Sequence, residues 1–270
     1  MKRKTTIMGI VNLTDNSFFS ESRHFGPEAI DAVLRMFEDG ADIVDIGACS
    51  SRPGSFPVSP EEEWRRLDPV LRGLEGKPLS IDTFHAEVVR KAYDLHGPFI
   101  VNDISSGEDD PDMLPSVGRL GLRYIAMHKR GTPATMSSLT DYPGGVTSCV
   151  KAYFEDFSIK AGCLGIKDWI LDPGFGFAKT VEQNWELLSN LHKLESLGRP
   201  ILAGLSRKSM IWKPLGISPE EALPGTQIAN FEALRQGASI LRVHDVKEAA
   251  QTARLFALWE EESGTDGPEC

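Results

Sequence analysis

The stretch Ile170-Leu-Asp-Pro-Gly-Phe-Gly-Phe-Ala-Lys179 joins an apolar run to a carboxylate and then to a turn. Trp169–Leu171 is predicted to be a buried strand, which the proline and glycine after the carboxylate end. Asp172 is then the last side chain of the strand, beside a backbone that a flat ligand can approach closely. In the alternative interpretation, Asp172 only opens an ordinary Asp-Pro-Gly turn. Gly174 and Gly176 lack the further residues that a phosphate-binding glycine loop requires, so phosphate is the weaker prediction here.

The same order of apolar run, polar loop and helix-forming segment occurs eight times along the 270 residues. The predicted strands lie at residues 5–12, 42–47, 78–82, 99–103, 123–128, 168–172, 200–204 and 239–243. Short apolar strands that alternate with helices are typical of a parallel sheet covered by helices. At this length the pattern predicts an α/β fold, a single (β/α)8 TIM barrel with its ligand site at the C-terminal ends of the strands. A doubly wound open sheet is the main alternative.

Helix signals support this division of the chain. Ser59-Pro-Glu-Glu-Glu63 predicts an N-cap, a proline at the first helical position and acidic residues in the first turn. A helix is also predicted near residues 180–194, and the last helix is expected to end at about Trp259. We therefore assign the barrel to residues 1–259 and expect the tail at residues 260–270 to be frayed.

Composition excludes several classes of function. The chain is 41% hydrophobic and 25% charged, as in ordinary soluble proteins, and its net charge of −10 argues against binding to nucleic acid or to an anionic membrane. The N-terminal apolar run is too short for a signal peptide or a membrane span, so a cytoplasmic location is expected. The four cysteines are scattered without zinc-site or disulfide spacing, which predicts reduced thiols.

Closure into a barrel would bring the strand C-termini together at one face. The side chains expected there are Asn12, Arg52, Asp82, Asn102, Met127, Asp172, Lys208, Arg242 and His244. Two carboxylates and an amide in one cavity can pair with the N–H groups of a pterin or guanine-like ring. Lys208 can donate to a ring carbonyl, and the Arg242 guanidinium can stack on the ring.

A second group, Asn12, Arg52, Arg242 and His244, offers donors and positive charge without a carboxylate. It is suited to a phosphate or pyrophosphate, and Asn12 can supply an oxygen ligand to Mg²⁺. The alternative is that these are ordinary surface charges at strand ends. No covalent nucleophile is evident, although a Schiff-base role for Lys208 stays open.

Eight segments at the predicted strand ends resemble the dihydropteroate synthase family. They are Met8-Gly-Ile-Val-Asn-Leu-Thr14, Gly47-Ala-Cys-Ser-Ser-Arg-Pro-Gly54, Ser80-Ile-Asp-Thr83, Val101-Asn-Asp-Ile104, Met127-His128, Leu171-Asp-Pro-Gly-Phe-Gly-Phe177, Gly204-Leu-Ser-Arg-Lys-Ser209 and Arg242-Val-His-Asp-Val246. The resemblance runs from about Thr5 to Phe256. It implies a TIM barrel, a homodimer, a transferase role in folate biosynthesis and sensitivity to sulfonamides.

The implied reaction joins 6-hydroxymethyl-7,8-dihydropterin diphosphate to 4-aminobenzoate, giving 7,8-dihydropteroate and pyrophosphate, with Mg²⁺. In the family, pyrophosphate is thought to leave first, and the arylamine then attacks a pterin methyl cation. Such a reaction depends on fixed charges more than on acid–base chemistry.

The resemblance also implies a role for each matching residue. The pterin site would comprise Asp82, Asn102, Met127, Asp172, Lys208 and Arg242. The pyrophosphate site would comprise Asn12, Arg52, Arg242 and His244, with Asn12 at the metal. The 4-aminobenzoate site would comprise Ser51, Arg52, Pro53, Phe177, Lys208 and Ser209. The catalytic group would be Asp82, Lys208, Arg242 and His244.

Two loops depart from the family pattern. The first loop usually reads Asn-Val-Thr-Pro-Asp-Ser-Phe-Ser-Asp, whereas here it is Asn12-Leu-Thr-Asp-Asn-Ser-Phe-Phe-Ser20, so Asp15 or Glu21 would replace the customary acids. In the second loop Cys49 and Ser51 stand where the family has Glu and Thr. Losing the threonine methyl is expected to weaken packing on an aromatic ligand by about 1 kcal/mol or less. We expect altered sulfonamide sensitivity with catalysis retained.

Two other functions fit parts of the pattern. A methyltetrahydrofolate methyltransferase of the same pterin-binding group would share the ring-binding acids, but it would not need residues 50–54 or Ser206–Ser209. A non-catalytic pterin-binding protein predicts the loss of Arg52, Lys208 or His244, and all three are present.

Overall fold

The computed structural model describes residues 4–13, 27–49, 58–132 and 135–263. Within these ranges the eight strands are β1 Thr6–Asn12, β2 Ile43–Gly47, β3 Leu79–Asp82, β4 Ile100–Asp103, β5 Arg123–Met127, β6 Trp169–Asp172, β7 Leu202–Ala203 and β8 Ile240–Val243. They form one parallel sheet in the order β6-β5-β4-β3-β2-β1-β8-β7. A parallel bridge between Leu171 and Ile201 joins the two edges of this sheet. The predicted TIM barrel is confirmed, and the doubly wound alternative is wrong.

Helices between the strands form the outer layer. In the described residues they are α1 Pro27–Glu38, α2 Pro60–Arg72, α3 Ala86–His96, α4 Met113–Leu120, α5 Val146–Cys163, α6 Val181–Ser189, α7 Ser209–Leu215, α8 Leu223–Arg235 and α9 Val246–Ser263. Short 3-10 turns occur at Met136–Ser138, Leu191–Leu197 and Glu220–Ala222. None of the helices described here is long and apolar enough to cross a membrane.

The helix boundaries agree with the sequence prediction at one cap and differ from it at two helix ends. The Ser59 hydroxyl accepts the Glu62 backbone N–H at 3.3 Å, which confirms the predicted cap of α2. The helix predicted at residues 180–194 is shorter, because α6 ends at Ser189 and a 3-10 segment follows. The last helix continues to Ser263, past the expected end at Trp259. The rest of the tail lies outside the described residues.

The strands place polar residues directly above an apolar floor. Inside the barrel, Met8, Ile125, Ile170, Leu202 and Ile240 form one buried cluster. Side chains on the same face of a strand are two residues apart. The residue two positions after an inward-facing apolar residue therefore also faces inward. Ile170 is followed in this way by Asp172, Ile240 by Arg242, and Ile125 by Met127. The polar face therefore lies at the C-terminal end of the barrel, over a dry interior.

The turn after β6 requires glycine at position 174. Gly174 has a φ of +69°, and a Cβ added there would lie 2.0 Å from the carbonyl oxygen of His128. That oxygen belongs to the backbone just after β5, so a side chain could be accommodated only by moving the chain. The contact holds the loop after β6 against the end of β5.

We expect Gly174→Ala to destabilise the fold more than a matched substitution in open space. The control is Gly165→Ala, where φ is +75° and no atom lies within 4 Å of the added Cβ. The control should lose about 1–2 kcal/mol through the left-handed backbone alone. Gly174→Ala should lose roughly 1–3 kcal/mol more through the clash. Urea unfolding measures both, and equal losses would contradict the close approach.

Candidate active site

Four polar side chains from neighbouring strands form the centre of the cavity. Asp45 comes from β2, Asp82 from β3, Asn102 from β4 and Arg242 from β8. The Arg242 Nε donates to Asp45 Oδ2 at 2.7 Å, and its Nη2 donates to Asp82 Oδ2 at 2.8 Å. The amide nitrogen of Asn102 donates to the same Asp45 oxygen at 2.9 Å. The guanidinium of Arg242 on β8 therefore links the carboxylates of β2 and β3. The Asn102 amide on β4 contacts the first of these carboxylates.

Asp45 was not among the predicted site residues. It lies in the middle of the apolar run Ile43–Gly47, whereas the prediction considered polar residues at strand ends. Alternation was the signal that could have found it, since Ile43 packs against the apolar floor and Asp45 is the next residue on that face. Its Oδ1 is buried and has no hydrogen-bond partner among the described residues. Such an acceptor costs free energy until a donor reaches it.

Burial raises the pKa of Asp82. The pKa of Asp82 is raised to about 7, because burial disfavours the carboxylate and the negative charges of Asp45, Glu63 and Asp103 add to this effect. The positive charge of Arg242 opposes the shift. The structure thus holds Asp82 in a poorly solvated position where its charge depends on Arg242.

Asp172 combines the two interpretations of its turn. Its Oδ1 accepts the Gly174 backbone N–H at 2.8 Å, so the residue does form the local turn contact. The residue is also buried at the strand end that faces the cavity. Burial raises the pKa of its carboxyl, while the nearby Lys208 charge and the Gly174 hydrogen bond lower it. The Asp172 side chain therefore both stabilises the local turn and faces the site as a hydrogen-bond acceptor.

Lys208 lies against the same turn. Its Nζ donates to the carbonyl oxygen of Phe175 and lies 4.9 Å from the centre of the Phe177 ring. Burial lowers the pKa of Lys208 to about 8, and the charge of Asp172 limits the decrease. The loops after β6 and β7 therefore meet at this amine, and the half-buried Phe177 ring lies beside it.

His244 is fixed by a serine of the neighbouring loop. Its Nδ1 lies 2.9 Å from the Ser206 hydroxyl, which also accepts the His244 backbone N–H at 3.3 Å. Burial and the charge of Arg242 lower the pKa of the imidazole to about 4. At neutral pH the ring is therefore uncharged, and it offers an anion a hydrogen bond in place of a positive charge. Ser206 is a second site residue that the sequence interpretation did not assign.

Asn12 lies beside Asp82 across a glycine. A Cβ added to Gly47 would be 3.3 Å from Asp82 Cβ and 3.7 Å from Asn12 Oδ1. The register explains this arrangement, because Gly47 pairs with Asn12 on one side and with Asp82 on the other. The missing side chain leaves the amide oxygen next to the carboxylate.

The remaining predicted residues divide into two groups. Met127 is buried at the end of β5, and Ser209 is the first residue of α7. The predicted residues Ser51, Arg52 and Pro53 lie outside the described residues, as do Asp15 and Glu21 in the first loop.

Cys49 precedes the second loop as a free, half-buried thiol. Burial raises the pKa of this thiol to about 11, although a backbone N–H of Val58 opposes the shift. The thiol is therefore protonated at neutral pH and is a poor nucleophile.

We expect Arg242→Met to destabilise the protein by about 3–5 kcal/mol, because Asp45 and Asp82 would remain buried without their cation. Asp45→Asn in the same chain should restore part of this loss, since it removes one of the two charges. Chemical unfolding of the single and double variants measures both effects. If Asp45→Asn gives no recovery in the Arg242→Met background, the charge compensation is wrong.

The pH dependence provides a second check on Arg242→Met. A buried carboxyl whose pKa is raised above its unfolded value costs stability as it ionises. The pKa of Asp82 is already raised to about 7, and loss of Arg242 would raise it further. The variant should therefore lose stability relative to the unmodified protein between about pH 7 and pH 9, because Asp82 of the unmodified protein is already ionised there while Asp82 of the variant is still losing its proton. A constant difference across this range would contradict the assignment.

Comparison with known proteins places this site in a family. A sequence profile described as "Pterin binding enzyme" matches residues 8–244. The dihydropteroate synthase of Synechocystis sp. is 42% identical over 267 residues, which cover 95% of this chain and 91% of that protein. The dihydropteroate synthase of Escherichia coli K12 is 38% identical over 257 residues, covering 92% and 89%.

Solved structures agree with this placement. Yersinia pestis dihydropteroate synthase with a sulfonamide drug complex has a TM-score of 0.90 at 33% identity, covering 96% of this chain and 95% of that chain. The Xanthomonas albilineans enzyme with 4-aminobenzoic acid has a TM-score of 0.85 at 36% identity, covering 98% and 94%. The chain therefore belongs to the pterin-binding enzymes, in the dihydropteroate synthase family of transferases.

Proposed function

We propose that the protein condenses 6-hydroxymethyl-7,8-dihydropterin diphosphate with 4-aminobenzoate, releasing pyrophosphate and forming 7,8-dihydropteroate for folate biosynthesis. The observation that supports this most directly is the buried Asp45–Arg242–Asp82 network, with Asp172 and Lys208 in the same barrel mouth. A pterin ring presents N–H donors and a carbonyl acceptor, which such groups can pair with. Because family membership and this set of groups coincide, a pterin is the ligand that fits the cavity best.

The pterin would be held by acids on one side and by an amine on the other. Asp172 and Asp82 would accept ring N–H groups, and the unpaired Oδ1 of Asp45 offers a further acceptor. Lys208 would donate to the ring carbonyl, while Asn102 would add an amide contact. Met127 and Arg242 would pack beside the ring. Ligand donors would then satisfy buried acceptors, which gives both affinity and specificity.

The chemical step would depend on fixed charges. Departure of pyrophosphate leaves positive charge on the pterin methylene group, and Asp82 is the carboxylate we assign to stabilise it. The leaving group would interact with Arg52, Arg242, Asn12 and the neutral His244. Preorganised charges in a poorly solvated site stabilise developing charge without reorganisation. Acid–base catalysis has a small part in this mechanism, because the arylamine attacks an already activated carbon. The amine loses one N–H proton as the C–N bond forms, and the released pyrophosphate or water would accept it.

Magnesium would bind at the diphosphate, with Asn12 as the protein ligand. No three His, Cys, Asp or Glu side chains in the described part of the chain are arranged to hold a metal. An amide oxygen together with substrate phosphate oxygens and water suits Mg²⁺, which keeps much of its hydration shell. When bound, the ion supplies neutralising charge to the leaving pyrophosphate.

The arylamine would enter above the pterin, between the loops after β2, β6 and β7. Phe177 provides a wall, and Lys208 and Ser209 lie on the adjoining loop. Ser51, Arg52 and Pro53 would complete the site. Sulfonamides would compete for this position, since the Yersinia pestis relative was solved with a sulfonamide drug complex. The missing threonine methyl at Ser51 would then change drug affinity more than catalysis.

We further propose a cytoplasmic homodimer, and the described cysteines, all free thiols, fit a reducing compartment. The proposed dimer surface lies on α7, α8 and α9. Ile228 is 71% exposed and Leu255 is 62% exposed on the packed pair α8 and α9, and Leu215 at the end of α7 is 61% exposed. Apolar side chains clustered on neighbouring helices are typical of a protein interface.

Ile228→Lys together with Leu255→Lys should convert the dimer to monomers, because charges would replace the centre of the apolar patch. The matched control is Ile159→Lys on α5, where the side chain is 69% exposed and away from the patch. Light scattering after size-exclusion chromatography measures the mass. A dimeric double variant, or a monomeric unmodified protein, would contradict this surface.

The catalytic proposal predicts that the protein with Mg²⁺ and both substrates releases pyrophosphate and forms dihydropteroate in equal amounts. His244→Ala should lower kcat/KM for the pterin diphosphate by about tenfold or more, since one hydrogen bond to the leaving group is lost. Binding of the diphosphate-free 6-hydroxymethylpterin should stay unchanged. Absence of product from the unmodified protein at high enzyme concentration would contradict the proposed function. Equal losses for the two ligands would contradict the role of His244.

A further inference from the structure

Lys179 is a buried amine that the proposed chemistry does not use. It is 9% exposed, and its Nζ lies 2.9 Å from the Gly174 carbonyl oxygen, 3.1 Å from the Phe177 carbonyl oxygen and 3.1 Å from His128 Nδ1. An ammonium group has three N–H donors. These three acceptors match that number, so the side chain is committed to the protein and not to a ligand.

The turn that Lys179 holds needs support. Gly174, Gly176 and Ala178 have φ values of +69°, +81° and +51°. The alanine carries a Cβ in a conformation that L-residues rarely adopt, and such strain persists only where surrounding contacts impose it. Lys179 binds the carbonyls on both sides of the turn centre. It therefore restrains a backbone that would relax without those contacts.

The same turn presents three groups to the site. The Gly174 N–H contacts Asp172, the Phe175 carbonyl accepts from Lys208, and the Phe177 ring lies beside the Lys208 amine. Lys179 binds the carbonyls of the first and last of these residues. One of its two bonds to the turn is therefore on Phe177 itself, and the other is on Gly174, whose N–H contacts Asp172.

His128 completes the support as a neutral acceptor. Its Nδ1 faces Lys179, which places the ring proton on Nε2, and its ring packs edge to face with Tyr153 at 5.0 Å between centroids. Burial and the Lys179 charge hold the pKa of His128 far below its usual value. The ring therefore remains an acceptor for the Lys179 amine throughout the neutral range. Burial lowers the pKa of Lys179 itself to about 7, although the charge of Asp172 opposes this shift.

We propose that Lys179 is a positioning residue for the 4-aminobenzoate half of the site, acting through the backbone of residues 174–178; this inference rests on the proposed function. The effect falls on the arylamine because Phe177, whose carbonyl Lys179 binds directly, is the wall assigned to that substrate. The pterin contacts of Asp82, Asn102 and Arg242 come from β3, β4 and β8, which Lys179 does not touch in any described hydrogen bond. Asp172 and Lys208 meet the turn at Gly174 and Phe175, so a smaller effect on the pterin is expected through them. Loss of the Lys179 amine should therefore raise KM for 4-aminobenzoate more than KM for the pterin diphosphate.

The test compares Lys179→Met with Lys129→Met. Lys129 is also 9% exposed, and its Nζ is paired with Asp109 at 2.7 Å, with no described hydrogen bond to residues 174–178. We expect Lys179→Met to raise KM for 4-aminobenzoate by about tenfold, with KM for the pterin diphosphate changed less than about threefold. Lys129→Met should change neither. Equal increases for both substrates, or no increase, would overturn the positioning role.

Hydrogen exchange separates this inference from the proposed function. The amides of Gly174, Gly176 and Phe177 bond within or beside the turn, so they should exchange faster in Lys179→Met and not in Lys129→Met. An inactive unmodified protein would overturn the proposed function, whereas unchanged exchange in Lys179→Met would overturn the support of the turn. If Lys179→Met fails to fold, His128→Phe removes one acceptor and keeps the ring packing. It should give a smaller shift in the same direction, and no shift would overturn the inference.

Discussion

The partly buried ion pairs of Arg242 with Asp82 and with the fully buried Asp45 are the interaction on which the site depends. Two carboxylates lie next to each other above an apolar barrel floor, where each isolated charge would be strongly disfavoured. One guanidinium from β8 compensates both, and Asn102 shares the same Asp45 oxygen. The arrangement depends on β1 pairing with both β8 and β2, because this strand order brings Arg242 of β8 close to the acids of β2 and β3. The order of the strands thus determines whether the buried charges of the site are compensated.

The same burial sets the chemistry of the cavity. It raises the pKa of Asp82 and lowers the pKa of Lys208 and of His244. Groups that water would stabilise instead depend on each other and on a ligand, which strengthens their electrostatic effect on it. A condensation in which an anion departs and a cation forms benefits from such a site. The turn that Lys179 holds fixes the positions of Phe177 and of the Lys208 amine within this poorly solvated cavity.

The sequence predicted the barrel well because its signals are local. Several strands have an apolar residue and a polar residue two positions later on one face, as in Ile170 and Asp172, and polar or turn-forming residues follow the apolar runs. Asp45 was missed because it interrupts an apolar run, although the alternation with Ile43 carried the information. Ser206 and Lys179 were missed for another reason. Their partners, His244 and His128, are distant in sequence and become neighbours only when β7 pairs with β8 and β5 pairs with β6.

The central claim is that buried acids at the barrel mouth bind a pterin ring, and calorimetric titration with 6-hydroxymethylpterin tests it most directly. Asp172→Asn should weaken binding by about tenfold or more, because an amide replaces one charged acceptor and adds a competing donor. Asp168→Asn is the matched control, since this aspartate forms an exposed ion pair with Arg123 outside the cavity. The account predicts weaker binding for Asp172→Asn and unchanged binding for the control. Equal dissociation constants for the unmodified protein and Asp172→Asn would contradict it.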